Sequence, residues 1–337
     1  MSRPFLLIIF LLLTPLSLLA GVAFGSVDLS LSEVMCALAG KEAGLATDIV
    51  WQLRLPRVAS AFACGGLLAL AGSLLQALLR NPLADPFVLG VSTGASLGTI
   101  LYSILAASWG TVQATSGALY GRPLAAFAGA ALVIGAVYFV AGGRTRSGEA
   151  SQRLLLAGIV LASFISSINV ILLTSTNQAD LRGIFYWLIG DLSRPVDASI
   201  YVVCFIVLVG ALLLSTHARS LNLIAMGEED AMILGVEVAR VKVAAYLVAS
   251  LITGAVVSIS GPIAYIGLIC PHLGRMMFGN DNRILFPAVF LFGAIFTLLA
   301  DTAARTLLSP AELPVGVITA LIGAPMFIYL SRRRSGL

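Results

Sequence analysis

The polar residues able to do chemistry in this sequence stand in four short runs. Arg54 and Arg57 occupy WQLRLPR, and Arg305 occupies LADTAARTLLSPAELPVG. A guanidinium fork matches a carboxylate, so three such groups on one surface can receive acidic side chains of another protein. Arginines at the ends of membrane helices also snorkel without a partner, and spacing alone leaves both readings open. GEEDA, residues 227–231, reads either as a solvated acidic turn or as the start of a helix whose N-terminal amides favour those acids. RNPLADP, residues 80–86, carries two prolines. Pro82 and Pro86 disfavour helix in the residues before them, and Asn81 can bond backbone groups that the break leaves unpaired.

Other chemistries lack their residues. The one Gly-Lys pair is Gly40-Lys41, and a phosphate-binding loop there would need glycine where Met35 stands. The chain therefore does not hydrolyse ATP by that route, and a pump built on it draws its energy from another subunit. His217 and His272 have no carboxylate or second histidine at ligand spacing, and they read as loop or capping residues rather than metal ligands. Cys36, Cys64, Cys204 and Cys270 are far apart, without CxxC spacing, and read as packing residues. A net charge of +4 does not point to nucleic acid, because it arises from an uneven spread of charge across a membrane.

The elements that must position these residues are apolar. With 59% hydrophobic and 11% charged residues, the chain cannot be a soluble two-domain protein. Runs of roughly 20 apolar residues cross the ~30 Å hydrocarbon core as helices. The sequence predicts spans near 4–24, 58–79, 91–108, 123–141, 154–174, 199–215, 243–259, 262–271, 284–300 and 314–330. The eighth is short, begins at Gly261-Pro262 and reads as a half-helix. None contains Asp, Glu, Lys, Arg or His, and Asp301 and Arg305 fall just past the ninth. Continuous apolar runs argue against a β-barrel. Charge-free spans argue against a carrier driven by protons or sodium, which binds its coupling ion at membrane depth. Residues 4–24 are longer than a signal-peptide core and read as an uncleaved first span.

Ten spans put both termini on one side, and the N-terminus-inside orientation places most of the 20 Lys and Arg in the cytoplasm. Trp51, Trp109 and Trp187 then fall at the outer boundary, where amphipathic rings anchor. Outside, residues 25–53 have room for a short surface helix, and 176–198 for an interfacial one. Inside, residues 217–240 predict two short helices joined at Gly227. GGLLALAGSLLQALLRNP (65–82) and TGAVVSISGPIAYIGLICP (253–271) share small residues at similar offsets in spans of opposite direction. That is the pattern of an inverted repeat of spans two to five onto seven to ten, although small residues also recur by chance in membrane helices.

LRLPR, GSLLQALLRNPLADPFVLGVSTGASLG, RLLLAGI, DLRGIFYWLIGDLS, MGEEDAMILGV, GPIAYIGLICPHLGR and ADTAARTLLSPAELPVGVITALIGAPMFIYL follow one another from about residue 50 to 330. Together they resemble the FecCD-type permeases, membrane subunits of type II ABC importers for iron-siderophores, haem and vitamin B12. The resemblance implies an all-α, ten-span permease domain over 1–337, with a cytoplasmic coupling loop at about 216–241, in the inner (plasma) membrane. It implies a homodimer with its substrate pathway on the two-fold axis, two copies of a separate ATPase that uses ATP and Mg, and a periplasmic or surface-anchored binding protein. The family's docking arginines fall on Arg54, Arg57 and Arg305. Its cytoplasmic gate falls on Asn81, Pro82 and Leu83, with a second element before span five at Ser151 and Gln152. Gln152 departs from the small hydroxyl residues usual there. ATPase coupling falls on Leu221, Gly227, Glu228, Glu229, Ala231 and Gly235. Small residues of span three, Gly94, Ala95, Ser96 and Gly98, are expected to line the pathway. The cargo expected first is an iron chelate, with cobalamin as the alternative.

Overall fold

The computed structural model describes residues 3–41, 44–108, 117–142, 149–174, 178–193, 210 and 217–334. Helix α1 (Arg3–Ala23) leads to a short surface helix, α2 (Leu31–Leu38), capped by Ser30 and Glu33 on each other's backbone amides. Next, α3 (Leu45–Asp48) passes through a π-helical turn, Ile49–Arg54, into α4 (Leu55–Leu79). A 3₁₀ turn, Pro86–Leu89, precedes α5 (Val91–Ser108), α6 (Gly117–Val140), α7 (Glu149–Thr174) and α8 (Gln178–Ile189). Two short helices follow, α9 over residues 217–226 and α10 (Glu228–Ile233). The chain then continues through α11 (Val238–Ser260), α12 (Ile266–Phe278), α13 (Asn282–Thr306) and α14 (Val315–Arg334).

No strand occurs among the described residues. Six helices there are long and apolar enough to cross a membrane, and three shorter apolar ones accompany them. Helices satisfy every backbone amide internally, which hydrocarbon demands. The predicted span at 199–215 and Trp109 lie outside the described residues, apart from Gly210, which packs against Ile252.

Helix α4 is the centre of the bundle. It is apolar on all sides and buried along nearly its whole length, packed by α11, α12 and α13. Small residues let backbones meet there. A Cβ at Gly72 would lie 1.8 Å from the Gly267 carbonyl oxygen, and one at Gly65 would lie 2.4 Å from that of Gly293. Between these seams, Gln76 donates through Nε2 to the Leu268 carbonyl at 3.1 Å, and Arg275 through Nη2 to that of Ser73 at 3.1 Å.

The helix pairings repeat. The α4–α13 contact has its counterpart in α11–α6, α5–α6 in α12–α13, α5–α7 in α12–α14, and α4–α12 in α11–α5, while α4 meets α11 directly. The same pairing scheme thus runs through α4–α7 and α11–α14, as two repeated four-helix units require. The paired helices α5 and α12 also each start after a left-handed residue, Gly90 (φ 77°) before α5 and Tyr265 (φ 70°) before α12.

Several predicted boundaries need correction. The eighth span does not begin at Gly261-Pro262. Residues 261–263 are non-helical, and α12 runs from Ile266 to Phe278, carrying His272 and Arg275. The ninth does not stop at residue 300, since α13 continues to Thr306 and contains Asp301 and Arg305. Helices α6 and α7 begin before residues 123 and 154. Apolarity marks where hydrocarbon ends, whereas helical hydrogen bonding runs on past it. Trp187 is not an interfacial anchor either. It is fully buried, because α8 folds back so that Asp191 N bonds the Ser260 carbonyl (2.8 Å) and Gly316 N that of Gly190 (3.2 Å). Trp51 stays half-exposed and donates through Nε1 to the Ala37 carbonyl at 3.0 Å.

The glycine seam gives a direct test. Gly72→Ala should destabilise the detergent-solubilised protein by about 1–3 kcal/mol, the range for overpacking a tight core. Gly135→Ala in α6, where an added Cβ meets nothing within 4 Å, should be neutral or stabilising by up to about 1 kcal/mol. Thermal unfolding of the two variants side by side checks the contrast.

Candidate functional site

Two polar constellations stand at opposite ends of α4. At its N-terminal end the structure brings Arg54, Arg57 and Arg305 to one pocket of about 160 Å³, lined also by Glu312, Ser26, Gln52 and Ser193. Arg54 closes the π-helical turn. Its Nη1 donates to the carbonyls of Val22 and Ala23 at 2.8 Å each, and its Nη2 to that of Val27. These are carbonyls at and beyond the end of α1, where helical partners run out. Arg57, in the first turn of α4, lays Nε and Nη2 on Asp301 at 3.0–3.2 Å and Nη1 on Glu312 Oε2 at 2.6 Å. Arg305 lies one helical turn beyond Asp301, with Nε 3.1 Å from Asp301 Oδ2, and its Nη2 donates to the Gly21 carbonyl at 3.0 Å.

The expectation that these arginines stand open on the surface is therefore corrected. Arg54 and Arg305 are 4% and 3% exposed, and Asp301 is fully buried. A desolvated guanidinium needs acceptors on several sides, and the end of α1 and the Asp301 carboxylate supply them. Glu312 is the accessible acid of the group. Burial alone would raise its carboxyl, but the Arg57 charge and hydrogen bonds from Ser26 and Arg57 outweigh that and hold it below the ordinary carboxylate range.

At the other end of α4, RNPLADP makes the break expected of it. Arg80 is left-handed (φ 48°) and ends the helix. Asn81 Oδ1 accepts from Leu83 N (2.9 Å), Asp85 Oδ1 accepts from Phe87 N (2.8 Å), and Leu83 is exposed. Pro82 lies in the turn that Asn81 closes. Arg80 donates through Nη2 to the Ile224 carbonyl near the end of α9 and lies 3.9 Å from Glu228 Oε1. Lys242 of α11 holds the same Oε1 at 2.6 Å. Asn222 of α9 bonds Asp281, the cap of α13, at 2.7 Å. The elbow at Gly227 is thus tied to α4, α11 and α13 at once.

The elbow's predicted residues divide in two. Gly227, Glu228, Glu229 and Gly235 form its turns and acidic rim, Gly235 being left-handed (φ 83°). Leu221 and Ala231 are fully buried and cannot touch a partner. They pin the two helices to the bundle. The exposed apolar side chains, Met226, Met232, Ile233 and Leu234, were missed from the sequence because they read there as ordinary periodic apolar positions. An exposed apolar patch of this kind, rimmed by acids, is the sort of surface that contacts a protein or a membrane.

Other placements differ from expectation. Ser151 and Gln152 do not precede the fifth span but lie in the first turns of α7, with Gln152 exposed. Gly94, Ala95, Ser96 and Gly98 do not line an opening. A Cβ at Gly98 would lie 1.9 Å from the Ala125 carbonyl, and Ala95 and Ser96 are buried, so this stripe packs α5 on α6. Exposed hydroxyls occur instead on α7, at Ser163, Ser166 and Ser167. Ser163 and Ser167 bond carbonyls four residues back at 2.9 and 3.1 Å. GVSTG, residues 90–94, has the letters of a hydrolase nucleophile elbow. It opens α5 from a 3₁₀ turn rather than following a strand, so the context for that chemistry is missing.

Comparison with known proteins agrees with this geometry. The model of the FecCD transport family matches residues 9–333. The cobalamin import system permease protein BtuC of Halobacterium salinarum is 39% identical over 287 residues, covering 85% of this chain and 74% of its own. The hemin transport system permease protein HmuU of Yersinia pestis is 39% identical over 292 residues, covering 85% of each. A solved structure of a metal-chelate type ABC transporter in an inward-facing conformation superposes with a TM-score of 0.82 at 30% identity, covering 98% of this chain and 99% of that one.

The buried triad makes its own prediction. Asp301→Asn leaves two buried guanidinium groups short of their shared anion and should cost about 3–5 kcal/mol, the range for breaking one side of a buried pair. Chemical unfolding in detergent measures it, and a loss under about 1 kcal/mol would mean that water already reaches the triad.

Proposed function

This chain belongs to the FecCD transport family, and on that premise we propose that it is the membrane pathway of an ABC importer for an iron chelate, siderophore or haem. One observation carries the reading. The arginine pocket and the exposed apolar elbow stand at the two ends of α4, whose 25 residues span about 37 Å, more than the hydrocarbon core. A single chain then offers one charged and one apolar docking surface to opposite sides of a membrane.

The pocket of Arg54, Arg57 and Arg305 faces outward and takes acidic side chains of a substrate-binding protein. The elbow, with Met226, Met232, Ile233 and Leu234 around Glu228 and Glu229, faces the cytoplasm and seats in a separate ATPase. Both termini are then cytoplasmic, in the inner (plasma) membrane. ATP and Mg are handled by that ATPase, and two copies of it serve two copies of this chain. The exposed hydroxyls of α7 face the second copy and the pathway. Closure of the ATPase pair moves α9 and α10, and Arg80 carries that motion into the Asn81–Leu83 turn at the inner mouth. Residues 1–337 act as one permease domain.

Cobalamin is the second reading. It is favoured by a cobalamin permease relative as similar to this chain as the hemin one.

Proteoliposomes holding the chain and its ATPase, loaded with ATP and given the cognate binding protein outside, should accumulate one of three labelled ligands: ferric siderophore, haem or cobalamin. Accumulation of cobalamin alone would replace the iron reading, and failure of any ATPase to associate would remove the importer reading. Ile233→Asp should weaken ATPase co-purification about tenfold or more, as loss of a central apolar anchor does. Glu228→Arg should lower transport while leaving binding-protein docking intact, and full uptake by that variant would reduce the acidic turn to a solvated loop.

A further inference from the structure

Arg57 divides its guanidinium between two carboxylates of different standing. Nε and Nη2 lie on Asp301, which is fully buried and belongs to helix α13. Only Nη1 reaches Glu312, whose side chain is 29% exposed. Glu312 belongs to the non-helical segment 307–314 between α13 and α14. That segment is fastened on both sides of it, by Ser309 Oγ on the Ser26 carbonyl (2.9 Å) and by Leu313 N on that of Ala304 (3.0 Å). Glu312 can therefore leave Arg57 by a side-chain rotation with the segment held, whereas Asp301 is fully buried and held by Arg57 and Arg305 together.

Space and charge favour such an exchange. The pocket of about 160 Å³ opens against this contact, with room beside Glu312 for a second carboxylate. Three guanidinium groups face two carboxylates, Asp301 and Glu312, with exposed Asp28 adding its charge to Arg54 from the rim. Arg305 Nε is already engaged, 3.1 Å from Asp301 Oδ2. A carboxylate that displaces Glu312 leaves the pocket's charge balance unchanged, and the donor it takes over is Arg57 Nη1.

We propose that Glu312 is an exchangeable internal ligand of the arginine pocket. It holds Arg57 Nη1 in the undocked chain and yields that atom to an acidic side chain of the docking protein. The proposal rests on reading the pocket as the outward docking site. It adds that docking is a competition between two carboxylates for one guanidinium nitrogen.

The test is the Kd of the cognate substrate-binding protein for the assembled permease–ATPase complex in nanodiscs, for the wild type, Glu312→Gln, Glu312→Ala and Arg57→Gln. If Glu312 occupies the site in about nine of ten undocked molecules, removing it should tighten docking roughly tenfold. Arg57→Gln should weaken docking. Unchanged or weaker docking in both Glu312 variants, with Arg57→Gln also weak, would overturn the exchange, leave the docking site in place and make Glu312 a brace for Arg57. If Arg57→Gln has no effect, the docking reading fails and the exchange with it. Glu312→Asp, one methylene shorter and least disturbing to the fold, should fall between wild type and Glu312→Gln.

Discussion

Asp301 sits between two guanidinium groups where water does not reach it, and much of the architecture answers to that one arrangement. A lone buried carboxylate is costly, and so is a lone buried guanidinium. Placed together, Arg57 of α4 and Arg305 of α13 share one anion, and their remaining donors go to the end of α1 and to Glu312. Three stretches distant in sequence, the end of α1, the start of α4 and the end of α13 with the segment after it, are thereby fixed at one end of the bundle, with α4 at the centre of the packing below them. The pocket follows from the same economy of donors. Groups gathered to satisfy Asp301 leave a concave, positively charged surface.

The opposite end is organised by weaker and more exposed ties. Glu228 is held by Lys242 and approached by Arg80, while Asn222 bridges to the cap of α13. Partly exposed pairs contribute little to stability, and geometry rather than strength is what they provide. That contrast between a buried triad and solvated tethers suits one rigid end and one movable end.

Much of this was legible in the sequence, for reasons that differ by feature. Long apolar runs announced the helical bundle, because hydrocarbon selects composition directly. Prolines and glycines announced the break at 80–90 and the Gly227 elbow, because they act through local dihedrals. Burial of charge was not legible. LADTAARTLL looks like a loop after a span, and only the fold reveals that Asp301 is shared with Arg57, 244 residues away in sequence. Small residues misled as well. The stripe at Gly94, Ala95, Ser96 and Gly98 fits a pore lining and a helix seam equally in one dimension, and contact with α6 decides for the seam. Glu312 passed as a loop residue because its partner is set by tertiary contact alone.

The seam between α4 and α12 limits how such a protein can move. Where backbone touches backbone at Gly72 and Gly267, no side chains lie between the helices to repack. Sliding or twisting there would collide main chain with main chain. The two helices behave as a keel, stiff along their common length. Any rocking that opens a path has to be taken up away from this seam, with α4 and α12 carried along together.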